Sequence, residues 1–341
     1  MSTRMRAACA TFASMLIAVG VALPAQAEDP RFHDTGLTFA DPGFIETPEG
    51  VTIHGTGGVE LDDGTVGAFP AATALSYDGT YSLQPPGASL PVLPDWVGLA
   101  PTMGRRLWAP SVIEVNGTYV MYYTAWNGDK KRNCIGIATA SLVDGPFVEE
   151  GEPLCAPSGA GTKAEAIDPS AYISVEGRCY MLFKTSQNKN RENFKIWAQK
   201  MSTNCVTPQE ESPRVKVKSK NRIEAPFILN PSEVGGSVYM FVSRKNFATC
   251  DYNIEVWRAD EMWDGDFTKE RVLLNQENSG LCGPGGATVI DSKEEGTRIA
   301  FHSWDVPDPS NPATVLDPAT TPRKTWTAKI SWDKKGRPRI S

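Results

Sequence analysis

Histidine is scarce in this 341-residue chain, which holds only His33, His54 and His302. No CxxC or CxxH spacing occurs, so the zinc and redox chemistries built on those motifs have no footing. No long window shows sustained helical periodicity, which argues against an all-helical fold. Beyond residue 27 no segment is apolar enough to cross a bilayer as a helix. An excess of basic charge is also lacking. The formal net charge is −6, and a mildly acidic chain has no electrostatic reason to bind nucleic acid or anionic lipid. It suits a neutral substrate.

What is present begins with an export signal. Arg4 and Arg6 form a basic start, Ala7 to Leu23 is apolar, and Ala25-Gln26-Ala27 is a small-x-small cleavage site. This layout predicts a secretory signal peptide over residues 1–27, cleaved near Ala27, rather than a membrane anchor. Cleavage removes two arginines and no acid, moving the net charge from −6 to −8. The expected product is a secreted monomer without membrane contact, folded as a single domain over residues 28–341. The most loop-like stretch, residues 306–322, is followed by too little chain for another domain.

Seven cysteines become six when Cys9 leaves with the signal. An even number in an exported chain implies disulfides, and six cysteines allow fifteen pairings. Sequential pairing is the expectation: Cys134–Cys155, Cys179–Cys205 and Cys250–Cys282 each stay inside or next to one repeat unit.

The repeat is the main signal. Short strands rich in aromatic and β-branched residues recur, such as Thr118–Tyr123, Cys179–Phe183 and Ser237–Val242, punctuated by Asn116-Gly117, Glu176-Gly177 and Gly235-Gly236. Units open at Asp41-Pro42, Ala109-Pro110, Asp168-Pro169, Glu224-Ala225-Pro226 and Gly285-Gly286, a period of roughly 60 residues. The first unit is the longest, with an insertion over residues 57–100. Five such units predict an all-β fold, a five-bladed β-propeller with one four-stranded sheet per unit. A β-sandwich would not explain the recurrent proline.

The first strand of each unit is the natural innermost strand, its head at the mouth of the axis. Asp41, Asp168 and Glu224 stand at such heads. Clustered carboxylates raise one another's pKa and so need a purpose. Solvated surface acids would not recur at the same point of a repeat. A cation site with three acids and few other ligands is incomplete. Glycoside hydrolysis uses a protonated acid and an ionised base across one bond, and a third carboxylate can hold the acid's pKa high.

In that order and spacing, Asp41-Pro42, Trp108-Ala109-Pro110, Ile167-Asp168-Pro169 and Glu224-Ala225-Pro226 resemble glycoside hydrolase family 43. Ile135–Ala140, Gly145-Pro146-Phe147 and the closing segment from Trp332 to Pro338 share the likeness. The resemblance implies an inverting hydrolase of arabinose- or xylose-containing plant polysaccharides. An α-L-arabinofuranosidase is the leading expectation, with endo-arabinanase or β-xylosidase as alternatives. A carbohydrate-binding propeller with decayed catalysis is the non-enzymatic alternative. The fructan-acting family 32 fits poorly, since Ala40-Asp41-Pro42-Gly43 and Glu224-Ala225 depart from its motifs.

By resemblance, Asp41 is the general base, Glu224 the general acid, and Asp168 the residue that tunes the acid. No cofactor is required for the chemistry. His302 resembles an axial histidine near a structural calcium or other ion. Gly286 stands where the family often has histidine. Arg323 resembles an arginine reaching the site, with a plain surface role as the alternative; Arg244 is the weaker substrate-binding candidate. Trp108 either stacks on a sugar or packs between blades.

Overall fold

The computed structural model describes residues 29–61, 64–161, 163–187, 192–209, 213–306 and 316–341. The proposed signal peptide and Cys9 lie outside these residues.

Five sheets form the five blades of the expected propeller, each built as an antiparallel meander. The innermost strands are Gly43–Thr47, Trp108–Val115, Glu165–Ile173, Ile223–Leu229 and Cys282–Ser292, in blades one to five. The second strands are Gly50–His54, Thr118–Asn127, Cys179–Gln187, Val238–Arg244 and Gly296–Trp304. In blades two to four the third and fourth strands follow in chain order. Blade five closes differently. Its edge is Phe32–Asp34, from the start of the described chain, paired with Ala328, Thr327 and Trp326 of Arg323–Trp332. Strand pairing therefore joins the two ends of the chain and closes the ring.

The second strands explain why the sequence reads as near-continuous apolar runs. Successive side chains of a strand face opposite ways, and here both faces are buried. Val120 and Tyr122 pack against blade three, whereas Met121 and Tyr123 pack against blade one. Tyr180 and Leu182 join the core shared with blade four, and Met181 and Phe183 join the one shared with blade two. Each blade interface thus holds its own apolar core, and the core is a ring rather than a centre.

The three disulfides are Cys134–Cys155, Cys179–Cys205 and Cys250–Cys282. This is the sequential pairing expected. The bridged cysteines are 21, 26 and 32 residues apart, and loop closure alone gives each bridge about 3–4 kcal/mol. The insertion in blade one forms a small hairpin, Gly58–Glu60 with Val66–Ala68.

Candidate active site

Four of the five innermost strands, those of blades two to five, carry a break in register near their start. Pairing is interrupted between Trp108 and Ser111, Ile167 and Ser170, and Glu224 and Phe227. At each head one residue takes a left-handed backbone: Asp41 (φ 49°), Ala109 (47°), Asp168 (54°), Ala225 (48°) and Gly286 (62°). Non-glycine residues adopt this region at a penalty of about 1–2 kcal/mol, so something must hold them there. A side chain of the preceding blade does so in four cases. The N–H groups of Asp41, Ala109, Asp168 and Gly286 donate to His302 Nδ1, Thr56 Oγ1, Thr124 Oγ1 and Ser243 Oγ, at 3.0, 2.9, 3.1 and 2.9 Å.

Blade three breaks the pattern. Lys184 pairs with Ile167 as Thr124 pairs with Trp108 and Ser243 with Glu224. An ammonium has no lone pair to offer. The Ala225 N–H therefore donates to Asp168 Oδ2 instead, at 3.1 Å. Lys184 Nζ turns to Glu224 Oε2, at 2.8 Å, with both side chains nearly buried.

This places the three carboxylates at the mouth, with one difference from expectation. Asp41 and Asp168 occupy the same point of the repeat. Glu224 stands one residue earlier, because blade four uses Ala225 for the left-handed position. Asp41 and Asp168 line a small axial cavity of about 30 Å³ together with Ala109, Ser111, Ala225 and Gly286. Asp41 and Glu224 belong to blades one and four, which are not neighbours in the ring, whereas Asp168 and Glu224 belong to adjacent blades.

The electrostatics separate the three. Burial alone would raise the pKa of Asp41, but Arg323 at 3.7 Å, His302 and the Thr56 hydroxyl outweigh it and hold the carboxyl below its usual range. Thr56 Oγ1 donates to Asp41 Oδ2 at 2.9 Å. Asp41 is thus ionised, and its side chain is still 24 % exposed. Asp168 is pushed up to about 7 by burial, opposed by Lys184 and reinforced by the charges of Glu224 and Asp41. Glu224 is lowered: burial raises it, but Lys184, Arg222 at 3.3 Å and the Tyr252 hydroxyl at 3.0 Å prevail. The direction is opposite to the one expected from sequence. The raised carboxyl is Asp168, through burial first and the charge of Glu224 after it, and the lowered one is Glu224.

Of the other candidates, Arg323 reaches the site. It lies beside Asp41, with its guanidinium 5.3 Å from the Trp304 ring. Arg244 does not reach it. It follows Ser243 by one residue, so its side chain faces the other way, to Ser219 Oγ at 2.9 Å and Glu255 at 3.6 Å. Trp108 is half-buried, with the Arg106 guanidinium 5.5 Å from its ring. His302 is fully buried, and burial first, then Arg323, lower its pKa to about 3, with Asp41 opposing. Its Nδ1 accepts from the Asp41 N–H and its Nε2 faces Arg323 at 3.4 Å. No lone pair of the ring faces open space, so a directly bound cation does not fit at His302. Among the described residues no group of three or more His, Cys, Asp or Glu side chains is arranged to hold a metal.

Glycine at 286 follows from this packing. A Cβ there would lie 2.7 Å from His302 Nδ1 and 2.9 Å from Asp41 Oδ1, on a left-handed backbone. Gly286→Ala is expected to displace His302 and lower kcat about tenfold or more while the fold is retained, since clashes of this kind cost about 1–3 kcal/mol. Unchanged kinetics in a folded variant would contradict the packing described.

Lys184, Arg222, Tyr252 and Thr56 complete the site and were not read from the sequence. The signal available was positional: Thr124, Lys184, Ser243 and His302 each directly follow the apolar run within a second strand, so the one lysine among them stands out once the repeats are aligned.

Fold and site together define a five-bladed propeller with three acidic side chains converging on the mouth of its axis. The chain belongs to the glycosyl hydrolases family 43, whose family model matches residues 91–338. It is 28 % identical over 167 residues to the extracellular endo-α-(1→5)-L-arabinanase 2 of Bacillus subtilis, covering 45 % of this chain and 34 % of that protein. It is 32 % identical over 149 residues to the arabinan endo-1,5-α-L-arabinosidase A of Aspergillus niger, covering 42 % and 45 %. The chain thus spans less than half the length of these two relatives. A crystal structure of a thermostable family-43 glycoside hydrolase superposes with a TM-score of 0.71 at 19 % identity, covering 91 % of this chain and 96 % of that one. The family match begins after Asp41, so the standing of Asp41 rests on its geometry.

Proposed function

We propose that this chain is a secreted, inverting glycoside hydrolase that cleaves α-1,5-linked arabinan. The observation that carries it is the division of labour among the buried carboxylates. Asp41 is held below the usual carboxylate range and is open enough to activate a water, whereas Asp168, beside Glu224, is raised to about 7. An inverting enzyme needs room for water between base and acid, about 6.5–9.5 Å between carboxyls. Asp41 and Glu224 on non-adjacent blades suit that need. We assign Asp41 as base, Glu224 as acid, and Asp168 as the partner that carries the proton until substrate arrives. Arg323 and Thr56 keep Asp41 ionised and oriented.

The arabinanase relatives favour endo-arabinanase over the α-L-arabinofuranosidase expected first. Linear arabinan is the test. A ladder of oligosaccharides supports endo action. Arabinose alone supports an exo-acting arabinofuranosidase, and sugar binding without turnover would sink the enzyme reading. The extracellular Bacillus relative and the predicted leader support export.

A pH profile follows. The Asp168 carboxyl, raised to about 7, loses its proton as pH rises through that value, so activity falls on that side. Asp41 protonates only below its usual range, so the acid limb lies low. Initial rates on arabinan across pH check both limbs, and a rate still climbing at pH 9 would contradict the assignment.

A further inference from the structure

A cleft of about 360 Å³ opens on blade three, lined by Asn193, Phe194, Lys195, Lys218, Ser219 and Lys220. Half of the described residues that line it are lysine and none of these six is acidic, in a chain of net charge −6. Strand direction fixes where it lies. The second strand of the blade runs up to the mouth, the third begins there and the fourth ends there, so the cleft is on the same face as Asp168. From Lys220 the chain runs straight to Arg222, which contacts Glu224 at 3.3 Å. At a strand spacing of about 4.8 Å the cleft lies roughly 10–15 Å outward from the innermost strand.

Among the described residues lining it, none neutralises these charges. Lys195 and Lys218 are direct partners across the ladder, an arrangement of like charges that is unfavourable in itself. Lys195 Nζ reaches the Gly159 carbonyl at 2.9 Å. Lys218 and Lys220 are exposed and pair with no acid among the described residues. The same edge strand behaves otherwise away from the mouth: Arg214 pairs with Asp264, and Lys216 donates to the Trp263 and Gly265 carbonyls. Lysines on an edge strand also discourage edge-to-edge pairing, but that role needs no cleft and no convergence of side chains.

We propose that this cleft binds carboxylate-bearing sugars, that is, uronates, in the polysaccharide whose neutral segment enters the axial mouth. The proposal rests on the hydrolase reading for its link to the axis. It narrows the substrate to arabinan attached to, or mixed with, an acidic chain.

The test is binding of the intact protein to polygalacturonate at low salt, beside turnover of neutral linear arabinan. Expected are measurable binding that weakens as salt rises, and about tenfold weaker binding by the double variant Lys218→Gln/Lys220→Gln. Arabinan turnover by that variant should be unchanged. No binding at low salt, equal binding by the double variant, or equally tight binding of duplex DNA would each overturn the proposal. Wild-type protein that binds polygalacturonate yet never cleaves arabinan would instead sink the hydrolase reading and keep the cleft assignment.

Discussion

Glu224→Gln is expected to lower kcat on unactivated arabinan about 10³-fold, within the range that general acid catalysis supplies. The leaving group there is a sugar alkoxide, which cannot depart without a proton. An aryl arabinofuranoside with a good leaving group needs little such help, so its rate should fall far less. This contrast identifies the acid. Asp168→Asn removes the carboxyl that burial raises to about 7, and it should slow both substrates. If leaving-group rescue appeared in Asp168→Asn and not in Glu224→Gln, the acid role would pass to Asp168.

The second large effect concerns Lys184. Lys184→Thr is expected to destabilise the protein by about 3 kcal/mol at neutral pH, because it strips a nearly buried carboxylate of its main partner. Arg222 and the Tyr252 hydroxyl stay behind, so the loss should sit at the low end of what breaking a buried pair does. The sign with pH follows from the lowered pKa of Glu224. A depressed carboxyl contributes stability above its unfolded pKa and loses it as pH falls through the folded one. The gap between wild type and variant should therefore be widest near neutrality and shrink in acid. Urea titrations at several pH values measure this, and a gap independent of pH would contradict the ion-pair account. Threonine also restores the hydroxyl that other blades use, so the Ala225 N–H gains a second acceptor and Asp168 loses its fixed orientation. Activity should fall with stability.

Much of this fold was legible in the sequence for one physical reason. Strands buried on both faces, such as Tyr180–Phe183 and Tyr239–Val242, must be apolar throughout, and they recur once per blade. The closing strand Phe32–Asp34 was not legible, because three residues without a repeat mark look like any leader. Nor was the hairpin inserted in blade one, whose course is set by packing against blade two, where Phe69 meets Tyr123 at 5.2 Å.

The site was readable where chemistry and repeat coincide, at Asp41 and Asp168. It was less so where a shift of one residue matters. Glu224 precedes its left-handed neighbour, and Arg244 follows Ser243 on the opposite face, and strand parity at a register break is not visible in sequence. The direction of the pKa shifts was also hidden. It depends on Lys184 and Arg222 meeting at Glu224, and one comes from the second strand of blade three and the other from the link into blade four.

In the mechanism proposed, water activated by Asp41 attacks across the ring from an acid on a non-adjacent blade. Proton NMR of the first product formed from α-1,5-arabinan tests it most directly. β-Anomeric arabinose reducing ends are expected to appear first and to mutarotate later. An α-anomer as the first product would mean a retaining mechanism and would contradict the roles assigned to all three carboxylates.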